Sequence, residues 1–329
     1  MTGLRVNRSA PSDAPEASTG WHPGVRAAVK IGFGVAVVGF GAWFLVSRWH
    51  KVQDALSQAR PGWLVAAVGF GILALFASMA TFRRVLAGVA RALPVPDVAR
   101  VHFISQLGKY VPGSVWPLVA LTGMSRRYDI PRRAAMSAGV LTLVFSITTG
   151  GLVGVTLVVI AAARTSPGLW WLLLLVPVMI VLGHPRVVMT VLNRGLRLAH
   201  REPIEVSLSR RELAGILVWQ FAVWLFFGLH CWAMVVALGG NAATSVVPAI
   251  GGFALAFTAG TLFVPAPAGA GVREAVLALA LVNVIHDSTS FDRASVIVVV
   301  LLSRVVLAVL DFALAGLFLL VGRWRTTDG

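Results

Sequence analysis

Along the chain, long apolar stretches alternate with short polar ones. The apolar runs lie at about 28–46, 63–82, 134–163, 168–183, 213–238, 244–262, 270–285 and 294–322. A helix that crosses a bilayer needs about 20 apolar residues, with a range of about 17–25. The pattern therefore predicts an all-α polytopic integral membrane protein of about eight transmembrane helices. The runs at 168–183 and 270–285 fall short, so each must borrow flanking residues or insert only in part. The run at 134–163 is long enough to tilt or to extend past the hydrocarbon. Residues 1–24 are rich in Ser, Pro, Ala and Gly and are expected to be a disordered cytoplasmic N-terminus. Residues 25–322 form one transmembrane domain in this reading, and 323–329 a short cytoplasmic tail. The first apolar run follows Arg5 and Arg8 at a distance and precedes Ser47-Arg48-Trp49-His50-Lys51, so it is read as a retained span and not a signal peptide.

Two stretches break the apolar pattern. The second of them, Phe263-Val264-Pro265-Ala266-Pro267-Ala268-Gly269-Ala270-Gly271-Val272-Arg273-Glu274, carries two prolines, two glycines and two adjacent charges between apolar segments. Proline lacks an amide donor and clashes with the preceding turn, so no helix runs through it. Lipid tolerates broken backbone and charge only where both are buried in protein or line a wet cavity. A helix is expected to restart near Ala270, with its free amides and Arg273 facing the break and suited to an anionic group such as phosphate. Glu274, about 100° further round the helix, is expected to pair with another helix.

The first break is Gln106-Leu107-Gly108-Lys109-Tyr110-Val111-Pro112-Gly113-Ser114-Val115-Trp116-Pro117. It is too interrupted to span and too apolar for an ordinary loop. One reading is a re-entrant hairpin that offers backbone groups to a ligand beside Lys109. The other is a plain cytoplasmic turn with Lys109 snorkelling. Paired interruptions of this kind point to a transporter site. The candidate headgroup-binding set is Lys109, Pro112, Gly113, Pro265, Pro267, Gly269, Gly271, Arg273 and Glu274.

The last apolar run contains Arg304 and Asp311. Seven helical residues place them on nearly one face, roughly 10 Å apart, too far to pair. Buried charge needs a partner. Glu274 is the expected partner of Arg304, and Lys109 or Arg273 that of Asp311. Such an intramembrane charge network serves either function or the locking of helices, and both readings stay open. Elsewhere, Gly150, Gly151 and Gly154 with Thr148 and Thr149 are read as close helix packing. Gln220 and His230 are read as satisfied interhelical groups.

Composition supports the membrane reading. The chain is 57% hydrophobic and 12% charged, with a mean hydropathy of +0.84, well beyond soluble proteins. A net charge of +15 is read as cytoplasmic loops against anionic lipid heads, not as nucleic-acid binding. Of the 28 Lys and Arg, five fall in outer segments (Arg48, Lys51, Arg60, Arg164 and Arg293) and two, Arg273 and Arg304, lie in or beside spans. All others fall in the inner segments, which puts both termini in the cytoplasm and Trp43, Trp49, Trp63, Trp170 and Trp171 at the outer interface. The inner loop 184–212 contains an amphipathic stretch with Arg186, Arg194, Arg197 and Arg201 on one side. It reads as an interfacial helix or as a solvated connector. Cys231 is the one cysteine, so no intramolecular disulfide or cysteine zinc site is available. No HExxH, GxSxG or Walker pattern occurs. No catalytic residue, metal or cofactor is assigned. A carboxylate pair for catalysis would have to come from Asp97 and Asp129.

At its two breaks the sequence resembles the lysylphosphatidylglycerol synthase transmembrane family, also called the flippase-like domain family, over roughly 25–322. Pro265, Pro267, Gly269, Gly271, Arg273 and Glu274 fit the family's Pro-x-Pro-Gly-Gly-x-Gly-x-x-Glu signature, with Ala268 replacing a glycine. Gly108-Lys109-Tyr110-Val111-Pro112-Gly113-Ser114 is similar to its other Pro-Gly segment, and Val115-Trp116-Pro117 stands where an acidic residue is frequent. The resemblance implies an eight-span module in the cell membrane that moves a polar-headed lipid between leaflets. With only Arg323–Gly329 after the last span, the aminoacyl-transferase domain of the best-known relatives is not expected here, and neither is aminoacyl transfer by this chain alone. The first expectation is a translocase for an anionic or polar-headed lipid, passive or coupled to protons through Glu274 and Asp311. The alternative is an integral-membrane transferase, or an accessory subunit, acting on a lipid-linked substrate. Membrane lipids are the expected partners, with a separately encoded enzyme as a further candidate.

Overall fold

A computed structural model describes residues 57, 59–110, 116–163, 167–198, 208–263, 269, 271–285 and 291–324. The expected N-terminal segment 1–24 and the first apolar run at 28–46 lie outside the described residues. So do Pro112, Gly113, Pro265 and Pro267 of the candidate site. Among the described residues every regular element is helical.

Proline at the first helical position opens α1, Pro61–Val89, where its missing amide removes no intrahelical bond. The first break then unfolds as a helical hairpin. Its limbs are α2, Val95–Gln106, extended by a 3-10 turn at Leu107–Tyr110, and α3, Trp116–Ser125. A second 3-10 turn, Arg126–Tyr128, leads to α4, Arg132–Ala162. Beyond it, a 3-10 stretch at Pro167–Leu174 passes into α5, Leu175–Gly183. The amphipathic helix α6 covers Pro185–Leu198, followed by α7, Arg210–Ala237, α8, Ala242–Leu262, α9, Val272–Ile285, and α10, Arg293–Trp324. The last helix thus takes in Arg323 and Trp324, which the sequence pattern assigns to the tail.

Helix starts follow the local sequence. Ser209 and Glu212 form a reciprocal capping box on α7, which satisfies two otherwise orphaned amides. Asn241 Oδ1 accepts from the amides of Ala243 and Thr244 at the start of α8. Asp292 does the same for α10, accepting from Ser295 N at 2.8 Å and Ser295 Oγ at 2.7 Å. These bonds hold the Asp292 carboxyl below its usual range, the backbone bond contributing most.

Five helices are long and apolar enough to cross a membrane: α1, α4, α7, α8 and α10. Two of the expected eight spans are not single crossing helices. The stretch 168–183 divides into a 3-10 segment and the short α5. Pro177 lies inside α5 and offers no amide to the turn before it. The run at 270–285 yields only the 14 residues of α9. At 1.5 Å per residue that is about 21 Å, short of a hydrocarbon core of about 30 Å.

Packing brings α8 into the middle, against α4, α7 and α9, with α1 laid along α7. Small residues make the close approaches. A methyl group on Gly154 would come within 2.6 Å of the Leu255 amide nitrogen, and one on Gly251 within 3.0 Å of that of Val158. Helix α4 and helix α8 therefore meet backbone to backbone, as small residues permit in membranes. Polar side chains inside the bundle find partners across helices. Gln220 Nε2 donates to Ser146 Oγ at 3.2 Å, Trp224 Nε1 to Thr149 Oγ1 at 2.9 Å, and His230 bridges Ala67 O and Ser303 Oγ. Exposed apolar residues such as Val65, Leu73, Val218, Leu225, Val309 and Leu317 cover the outside of the long helices, the surface a bilayer would solvate. Helix α6 rests on α5, with Val188 buried and Arg186, Arg194 and Arg197 exposed.

Candidate functional site

Helix α10 is where the two breaks meet. It packs against α2 and the 3-10 turn of the first hairpin, and also against α9 beyond the second break. Its two charged residues, Arg304 and Asp311, each engage one break.

In the first hairpin, Gly108 lets the limbs touch. A methyl group there would sit 2.6 Å from Pro117 N and 2.7 Å from the Trp116 carbonyl carbon. The 3-10 turn that follows aims Lys109 and Tyr110 at α10. Lys109 Nζ lies 2.6 Å from Asp311 Oδ2. Tyr110 donates its hydroxyl to the same oxygen, also at 2.6 Å. The Tyr110 ring stacks on Phe312 with centroids 5.4 Å apart. Asp311 is 2% exposed, so its charge is held inside the bundle by one cation and one hydroxyl. A buried carboxylate without such partners would be strongly disfavoured.

The second break closes by a similar device. Gly260, at the end of α8, and Gly269 touch through their backbones: a methyl group on Gly269 would approach Gly260 Cα to 2.6 Å. Gly269 and Gly271 both hold positive φ, 68° and 88°, conformations open to glycine without cost. The chain can then enter α9 at once. Glu274 turns back, and its Oε2 accepts from the Gly271 amide at 2.6 Å. Its other oxygen, Oε1, lies 2.7 Å from Arg304 Nη1 on α10. One carboxylate thus holds both the start of α9 and the neighbouring helix. The amides expected to stand free at this helix start are in part already occupied by the protein's own side chain.

Arg273 packs onto α8. Its guanidinium carbon lies 4.8 Å from the centroid of the Phe253 ring and 5.4 Å from that of Phe257, a cation–π arrangement. Among the described residues no carboxylate forms a salt bridge with it. Among the described residues the cluster holds three cations (Lys109, Arg273 and Arg304) against two carboxylates, Glu274 and Asp311.

A small cavity lies at this junction, lined by Arg273, Glu274, Leu277, Val300, Ser303 and Arg304. It offers about 10 Å³, enough for about one water molecule. Ser303 ties it to His230 on α7, with Nε2 and Oγ 3.1 Å apart. In this form the junction is closed, and a larger polar group would enter only if an ion pair opened.

Of the residues singled out by sequence, Lys109, Gly269, Gly271, Arg273, Glu274, Arg304 and Asp311 lie at or beside the contacts between the two breaks and α10. The partners expected for the two charges of α10 are the ones found, with Lys109 and not Arg273 taking Asp311. Tyr110, Ser303, Phe253 and Phe257 were not singled out. Tyr110 carried a signal, being one of two tyrosines in the chain and adjacent to Lys109. The two phenylalanines lie in an apolar run and carried none. Asp97 and Asp129 stand apart from this cluster: Asp97 lies in the first turn of α2, and Asp129 holds φ 53° in the turn before α4.

Compared with known protein families, residues 31–315 match the model described as the lysylphosphatidylglycerol synthase TM region. No curated protein matches the chain.

Proposed function

We propose a function from one premise: this chain belongs to the lysylphosphatidylglycerol synthase transmembrane family. It is a multi-pass membrane protein tied to lipid handling. In our reading it moves a polar-headed, anionic lipid between the leaflets of the cell membrane, with both termini in the cytoplasm and residues 25–322 acting as one transmembrane unit. Lys109, Arg273, Gly269 and Gly271 would receive the headgroup beside Glu274, with Pro112, Gly113, Pro265 and Pro267 shaping the two breaks. Arg304 and Asp311 would hold those breaks in register.

The observation that carries this reading is the surplus cation among the described residues. Lys109 and Arg304 each face a carboxylate, whereas Arg273 is held by two aromatic rings beside a polar cavity. A guanidinium kept within an apolar bundle without a carboxylate is costly. That cost is reasonable where the counter-ion arrives from outside, and a lipid phosphate is the anion a bilayer supplies. The acyl chains would stay in lipid while the headgroup passes between the breaks.

The test is reconstitution of the full chain in vesicles with fluorescent phosphatidylglycerol, reading the fraction accessible to a membrane-impermeant quencher over time. Wild type should scramble the probe faster than the Arg273→Ala/Glu274→Ala double variant at equal reconstitution. Equal rates would remove the proposal.

A further inference from the structure

The structure assigns Glu274 a role as an internal stand-in for the ligand's anion: we propose that an incoming phosphodiester displaces it from Arg304 and the Gly271 amide. This rests on reading the junction as a headgroup site and says which atoms the headgroup would meet.

Four features support the assignment. The Glu274 carboxylate occupies the two donors a phosphate would use, a guanidinium nitrogen at 2.7 Å and a backbone amide at 2.6 Å. The Arg304 distance is that of a charge-assisted bond to an anionic oxygen, about 2.7–2.9 Å, and the Gly271 contact is slightly shorter. The side chain is 21% exposed, so it has somewhere to go when displaced. The third potential donor, Arg273, is the next residue back and lines the same cavity. The space left, room for about one water, excludes a phosphate while Glu274 stays in place. Carboxylate and ligand therefore compete for one position. Asp311 is less suited to such an exchange, because it is 2% exposed and is bound through one oxygen by both Lys109 and Tyr110.

Competition makes an unusual forecast: weakening Glu274 should strengthen binding. The full chain, purified in detergent, would be titrated with dioleoylphosphatidylglycerol and the bound lipid counted by native mass spectrometry. Parallel titrations would use the zwitterion dioleoylphosphatidylcholine and the soluble glycerol 3-phosphate. Glu274→Gln should bind phosphatidylglycerol about tenfold more tightly than wild type, the gain expected from freeing one charge-assisted contact. Glu274→Asp keeps the charge but cannot span Arg304 and Gly271 at once, so it too should bind more tightly, by a smaller factor. Arg273→Gln should bind less tightly. A gain for glycerol 3-phosphate equal to that for the lipid would assign the site to a free phosphate ester and overturn the lipid part of the inference.

Tightening by Glu274→Gln with no change in Glu274→Asp would mean that Glu274 acts only through its field, and the competition would be wrong. Weakening by both would make Glu274 a direct ligand contact, which also overturns it while leaving the headgroup site standing. No change in any variant, Arg273→Gln included, would instead remove the headgroup site. Gel filtration of each variant as a single symmetric peak separates these results from failure to fold.

Discussion

Asp311 shows most directly what one residue does here. Its carboxylate is closed off from solvent and meets Lys109 and Tyr110 on a single oxygen. Removing one partner of a buried pair costs more than removing both, because the remaining charge stays desolvated. Asp311→Ala should therefore destabilise the protein by about 3 kcal/mol, the low end of the range for breaking buried pairs, since Lys109 keeps 30% of its side chain exposed. The double variant Lys109→Met/Asp311→Leu should recover most of that loss. Unfolding midpoints in detergent for the two singles and the double would show it; a double variant as unstable as the sum of the singles would refute the account. That Asp311 needs a cation could be read from the sequence, because an intramembrane carboxylate is costly alone, and Lys109 and Arg273 both stood open as partners. That Tyr110 shares the same oxygen could not be read, since a tyrosine at a helix break looks the same whether it faces lipid or a charge.

At the scale of elements, the two breaks are built alike. Each ends a helix, brings two backbone segments into contact at a glycine (Gly108 against Trp116 and Pro117, Gly260 against Gly269) and releases a charged residue toward α10. The Pro/Gly composition marked where helices stop. The length of α9 was less legible: apolar content alone could not separate a full span from the 14-residue helix found. The close backbone approach of α4 to α8 depends on Gly154. A side chain there would meet the Leu255 backbone at 2.6 Å, and backbone cannot step aside as a side-chain tip can. Gly154→Leu should therefore separate α4 from α8 and cost about 1–3 kcal/mol, the usual price of overpacking, read as a lower thermal midpoint in detergent. Gly62→Ala, at a position with open space around it, should be close to neutral and serves as the control.

For the whole molecule, the arrangement comes down to one helix that joins two distant stretches of chain. Helix α10 holds the first break through Asp311 and the second through Arg304, about two turns apart. If that joint arrangement exists in the membrane, a short bifunctional thiol reagent should link Lys109→Cys to Asp311→Cys. It should equally link Glu274→Cys to Arg304→Cys, each pair in a Cys231→Ser background and in native membranes. Absence of both links, with a Ser146→Cys/Gln220→Cys control forming across α4 and α7, would contradict the packing of α10 between the breaks. The sequence by itself determined the solvent this chain is built for, where its long helices run, and that a handful of charges had to be neutralised inside. Hydropathy and helix-breaking residues are local properties, and the cost of unpaired charge in lipid is large enough to force partners whatever the fold. Only the tertiary structure decided which partners these were, that Arg273 lies over Phe253 and Phe257, and that Glu274 closes the junction with its own carboxylate. Those outcomes depend on how helices far apart in the chain rotate and slide against one another, and packing fixes that geometry through many small contacts that no local pattern records.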